Sequence, residues 1–223
     1  MRTLLHGKFF ISLLLIFTAF STHAEINDEI KQLQQEWAKI KYTLDKKEHE
    51  KALEKLANQV TSLREKQPDN ADAYLWEGII YSTYAGAIGT LRALKAVTHS
   101  RDALEQSINI DSTASKGAAH TFLGALYFLV PEWPIAFGDL DLSKDHLDKA
   151  IAMNPDGIDI NFFYGDFMKK LGKFKQAEAM YLKALDAPAR PGRELADEGR
   201  RKETKERLEK VRHEMSKPPP PKI

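Results

Sequence analysis

The chain has 223 residues, 33 Lys and Arg against 32 Asp and Glu for a net charge of +1, 43% hydrophobic side chains and no cysteine. That length supports one good-sized domain or a short repeat array without covalent staples. The missing cysteine excludes thiol catalysis, thiolate metal sites, iron–sulfur clusters and lipid attachment through Cys. The near-neutral balance argues against dedicated nucleic-acid binding, which needs a basic excess to release counterions from phosphates.

Residues 1–24 have the layout of a secretory signal: basic Arg2 and Lys8, an apolar run from Phe9 to Phe20, then Ser21, Thr22, His23 and Ala24. The run counts 12 residues, short of the ~20 that a helix needs to cross the hydrocarbon core. Cleavage after Ala24 is expected; an uncleaved anchor is the other reading. Removal takes away two bases and no acid, which leaves the exported chain near neutral. Export without cysteine or an N-x-S/T acceptor fits a bacterial periplasm, and a soluble exported protein rather than a lipoprotein.

Beyond Ala24 the apolar residues recur at three- and four-residue spacing, which predicts an all-helical domain. Ile26, Ile30, Leu33, Trp37, Ile40 and Leu44 lie on one stripe, and Leu53, Leu56, Val60 and Leu63 on a second. The short polar stretch between them predicts an antiparallel hairpin over 25–67. Internal similarity follows. Its clearest copy runs from Ile158 to Pro191, with Gly165, Gly172, Ala177, Tyr181, Ala184 and Leu185. The small residues suit the close approach of two helices, Tyr181 and Leu185 fill the space between repeats, and Gly172 suits the turn. A copy before it has Leu123, Gly124, Tyr127, Leu147, Ala150, Ile151 and Pro155, its second half seven residues late through Pro131 to Asp139. A third has Tyr74, Gly78, Tyr81, Leu104, Ser107 and Ile108, ten residues over, with the excess near 85–95. Glu194 to Met215 reads as a polar capping helix within 192–215, and Pro218–Pro221 as part of an extended disordered tail over 216–223.

These spacings resemble the tetratricopeptide repeat (TPR) over Ala71 to Pro191, with the repeat region set at 68–191 and 25–67 as a degenerate further copy. The expected fold is an all-α, TPR-like array of antiparallel helix hairpins in a right-handed superhelix, with two expanded repeats and a C-terminal capping helix. The resemblance implies that the first helix of each repeat lines a concave groove. Carried across, the groove positions are Leu75, Ile79 and Thr83, then Thr121, Ala125 and Phe128, then Phe162, Asp166 and Lys169. Each has a plainer reading, Phe128 and Phe162 as packing between helices and Asp166 with Lys169 as an ordinary helical ion pair.

Two further segments stand out. The loop Pro131 to Asp141 is broken by two prolines yet carries Trp133, Ile135 and Phe137; it either shields core or docks a partner. Near a predicted helix start, Arg190, Arg193, Arg200 and Arg201 gather, with Arg190 and Arg193 as candidate anion contacts, or else paired with Glu194, Asp197, Glu198 and the preceding repeat. No phosphate loop, nucleophile elbow, H-E-x-x-H or calcium loop occurs, and His49, His99, His120, His146 and His213 lack metal-site spacing. No catalytic residue, metal or cofactor is expected.

The runs PEWPIAFGDLDLS, NPDGIDINFFYGDF and PARPGRELADEGRR resemble exported bacterial TPR proteins akin to the T component of TRAP transporters. That resemblance implies a helical cavity of ligand size and a periplasmic solute-binding protein as partner. The expected function is a non-enzymatic scaffold that binds a protein partner or small apolar ligand in its groove or cavity, accessory to solute uptake. The alternative is an envelope adaptor working through its convex surface and the Trp133 loop. No nucleic acid is expected as a partner, and no stable membrane span after signal cleavage.

Overall fold

The computed structural model describes residues 28–217; the expected signal at 1–24 and the prolines Pro218–Pro221 lie outside the described residues. Within the described residues nine α-helices follow one another: α1 (28–43), α2 (Lys46–Lys66), α3 (Ala71–Ala85), α4 (Thr90–Asp111), α5 (Ala118–Leu129), α6 (Leu140–Met153), α7 (Ile158–Lys170), α8 (Phe174–Asp186) and α9 (Glu194–Ser216). Among the described residues β pairing is limited to one isolated bridge, Glu132 to Gly138. The chain is all-α, built from sequential antiparallel hairpins as the three- and four-residue spacing predicts.

Local chemistry sets the helix ends. Asn70 begins α3 by accepting the amides of Asp72 and Ala73, and Asp139 begins α6 by accepting those of Asp141 and Leu142. Between α7 and α8, Gly172 takes φ 70°, while the amides of Gly172 and Lys173 reach back to the carbonyls of Lys169 and Met168. That left-handed turn ends α7 and satisfies carbonyls that would otherwise be left open.

Three hairpins share one packing device. In α3/α4, α5/α6 and α7/α8 a glycine of the first helix meets a bulky side chain of the second. A Cβ on Gly78 would lie 2.5 Å from Leu104, one on Gly124 2.8 Å from Leu147, and one on Gly165 2.6 Å from Tyr181. One turn before each bulky residue stands a small one. Ser100 donates its hydroxyl to the Gly78 carbonyl at 2.6 Å, Ser143 donates to that of Gly124 at 2.8 Å, and Ala177 is fully buried. The first hairpin carries its longer chain largely in helix, since α4 has 22 residues against 13 in α8. The second carries a loop between α5 and α6.

Gly165→Ala is expected to destabilise the array. Tyr181 is fully buried and donates its hydroxyl to Asp166 at 2.7 Å, so the ring is held at both ends. Overpacking costs about 1–3 kcal/mol, and the gain in helix propensity of about 1 kcal/mol offsets part of it. A net loss of up to about 2 kcal/mol should appear in the urea midpoint at unchanged slope.

The last helix does more than cap α8. It turns back onto α1, where Gly199 lies so close to the Tyr42 ring that a Cβ would collide with it. Lys41 pairs with Glu203 at 3.3 Å, and the Tyr42 hydroxyl donates to the same carboxylate at 3.4 Å. The two ends of the described chain therefore meet, and the space between them and the first helices of the hairpins narrows to a channel that stays open to solvent.

Candidate functional site

Two side chains divide that channel. Trp37 of α1 donates its indole N–H to Thr83 at 2.9 Å and stands edge-on to Trp76, with centroids 5.8 Å apart. Phe122 of α5 stands edge-on to Phe163 at 5.5 Å. Both line two cavities, one on each side. The first, about 480 Å³, is walled by Ala93, Leu94, Val97, Leu126, Leu129 and Phe163, with Lys41 and Arg200 as its charged members. The second, about 660 Å³, is walled by Leu75, Trp76, Ile79, Thr121, Ile158 and Ile160, with Arg190 and Arg193 among its polar groups.

A charged cluster joins the cavities where α7, α9 and α1 meet. Asp159 accepts from Arg190 and from Arg200, each at 2.8 Å. Arg190 is also held by Asp197, which takes its Nε at 2.7 Å and its backbone amide at 2.9 Å. Arg200, only 3% exposed at its side chain, donates to Glu203 at 2.6 Å and lies over the Phe162 ring at 4.3 Å. Burial works to raise the Asp159 carboxyl, but the charges of Arg200 and Arg190 outweigh it and hold it well below the ordinary carboxylate range. Burial, reinforced by the nearby Arg200 charge, lowers Lys41 to about 8 against the pull of Glu203. Arg193 lies over Trp76 at 4.9 Å, and burial followed by the Arg190 charge lowers its pKa.

The residues singled out in the sequence divide into five groups. Leu75, Ile79 and Thr121 line the larger cavity, while Thr83 and Ala125 line the smaller. Phe128 and Phe162, each 3% exposed, are not free to face a groove: they pack with Phe167 and Tyr181 between helices, because α9 lies over this part of the array. Asp166 meets Tyr181 and Arg207 of α9 at 2.7 and 3.3 Å instead of a neighbour on its own helix, and half-buried Lys169 lines neither cavity. Arg190 and Arg193 do enter a cavity. The loop splits: Phe137 packs edge-on against Tyr127 at 5.8 Å, whereas Trp133 and Ile135 are 85% and 67% exposed.

Other polar groups gave little local signal. Glu77 interrupts the apolar run AYLWEGII, and its buried carboxylate accepts from Thr61 at 2.7 Å, Arg64 at 2.9 Å and His99 at 3.0 Å. His120 and His146 meet at 2.8 Å between their Nδ1 atoms. They lie four residues before Gly124 and one before Leu147, so the register of that glycine contact was the available clue. Burial, followed by the neighbouring His120, lowers His146 to about 4.

No family model and no curated protein matches the chain. Among solved structures, a thermophilic TPR protein of Thermus thermophilus, TTC0263, is similar with a TM-score of 0.52 and 15% identity, over 86% of this chain and 96% of that one. Two structures of MamA have TM-scores of 0.44 and 0.43 at 18% and 17% identity, over 77% and 87% of this chain and 93% and 100% of theirs. The first likeness places the hairpins within the TPR-like fold.

Proposed function

We propose that this chain is a non-enzymatic, TPR-type scaffold of the bacterial periplasm that holds a small apolar ligand or a partner segment in its central channel. The observation that carries the reading is the closure of α9 on α1, which leaves two cavities between the helices, the smaller largely apolar and the larger of mixed lining. A role beside a solute-binding protein in solute uptake belongs to the same proposal. It is supported by the resemblance of the three quoted runs to T components of TRAP transporters.

The channel is tested with a neutral apolar dye, N-phenyl-1-naphthylamine. Ala93 is half-buried on the smaller cavity, so Ala93→Trp fills that space without entering the main core. The expected result is saturable fluorescence enhancement with the native chain, strongly reduced in the variant at equal helical circular dichroism. Equal enhancement in both would reject the cavity as the site. Export is tested by fractionating a bacterial host, with the mass of the mature chain reporting cleavage after Ala24; an uncleaved cytoplasmic product would reject it.

The adaptor reading rests on a separate observation, the exposure of Trp133 and Ile135 on a loop whose Phe137 is anchored. Trp133→Ser should change folding stability by less than about 0.5 kcal/mol. It should also remove the envelope proteins that crosslink to the native chain; an unchanged crosslinking pattern would exclude the loop.

A further inference from the structure

The charges at the closure do not balance. Lys41, Arg190, Arg193 and Arg200 face Asp159, Asp197 and Glu203. Three of the four cations have carboxylates at ion-pair distance. Arg190 is fully engaged, with its backbone amide, Nε and both terminal nitrogens directed to Asp197 and Asp159. Among the described residues Arg193 has no carboxylate at that distance, and its Nε is buried with no hydrogen-bond partner. Its guanidinium rests on the Trp76 ring and lines the 660 Å³ cavity. The half-buried guanidinium feels Asp159 and Asp197 only beyond ion-pair distance, and the unmade bond from its buried Nε is costly. The cavity's exposed charges, Lys116 and Asp156, are one of each sign and leave the excess with Arg193.

We infer that the larger cavity takes an organic monoanion with an apolar body, its carboxylate on Arg193 and its hydrocarbon part against Trp76, Ile79 and Ile160. The guanidinium offers the paired donors that a carboxylate accepts, and the apolar part of the wall gives the hydrocarbon body a surface to cover. This rests on the channel reading above and adds the charge and polarity of the occupant. Inorganic phosphate alone would leave the apolar wall uncovered, so it should bind weakly.

The test compares octanoate, 1-octanol and inorganic phosphate by titration calorimetry of the full chain at pH 7 and constant ionic strength. Octanoate is expected to bind at least tenfold more tightly than octanol or phosphate. Arg193→Gln should abolish that preference while leaving octanol unchanged, and Lys116→Gln should leave octanoate unchanged. Octanoate no tighter than octanol on the native chain overturns the proposal without any variant, as does undiminished octanoate binding by Arg193→Gln. Dye and octanol binding with no octanoate preference would reject the anion site and keep the channel. Failure of all these probes and the dye would reject both.

Discussion

Asp159→Ala should cost about 3–5 kcal/mol, because it strips the shared counter-charge from two arginines at once and leaves a buried pair broken. Arg200 has little water to turn to. Its side chain is 3% exposed, enclosed by Phe162 and Phe163 and fixed at its other end on Glu203. Asp159→Asn keeps the shape and an acceptor oxygen but not the charge, so it should fall between native and alanine forms. The native advantage also has a pH signature. The folded carboxyl sits below its unfolded value, so its contribution is complete above about 4 and is lost as pH falls towards the folded value. Urea unfolding of the three forms at pH 7 checks the order. A loss below about 1 kcal/mol for Asp159→Ala would mean that Glu203 and water suffice for Arg200.

Why the cluster was hard to see in the sequence is a matter of distance along the chain. Gly78, Gly124 and Gly165 declare themselves, because two helix backbones cannot approach closely with a Cβ between them and the partners follow at recognisable spacing. The stripe Ile30, Leu33, Trp37 and Ile40 also reads correctly as a buried face. Nothing in that periodicity says that Lys41 and Tyr42, on the next turn, meet Glu203 and Gly199. Once α9 lies on α1 and α7, the third repeat loses its open concave face. That closure explains why Phe162 is covered and why Asp166 finds Arg207 of α9. The arginine-rich segment was legible as a charged feature, and pairing with its own acidic residues and the preceding repeat was one of two readings, without Asp159 being singled out. The missing partner of Arg193 became visible only with Trp76, Asp159 and Asp197 placed around it.

Glu77 should make the largest single contribution to acid sensitivity within the first TPR-like hairpin. Its side chain is 2% exposed. Burial works to raise its pKa, but hydrogen bonds from His99, Arg64 and Thr61 overcome that and bring it down from 4.5 to about 2. A carboxyl lowered on folding stabilises the native state at every pH above its unfolded value and loses that effect as pH falls through the folded one. At about 1.4 kcal/mol per pH unit the shift corresponds to roughly 3 kcal/mol at neutral pH. Glu77→Gln retains the volume and one acceptor while removing the titration. The native chain should therefore exceed the variant by about 3 kcal/mol at pH 7 and by less than about half of that near pH 3. Both chains carry the same remaining carboxylates, Asp159 included, so the difference between their urea stabilities isolates Glu77 when its neighbours titrate alike. A gap that stays constant from pH 7 to pH 3 would show that packing around the side chain, and not its charge, sets the effect. A gap that closes as described would place the acid weakness at the α2–α3–α4 junction, where Thr61, Arg64 and His99 converge on one carboxylate.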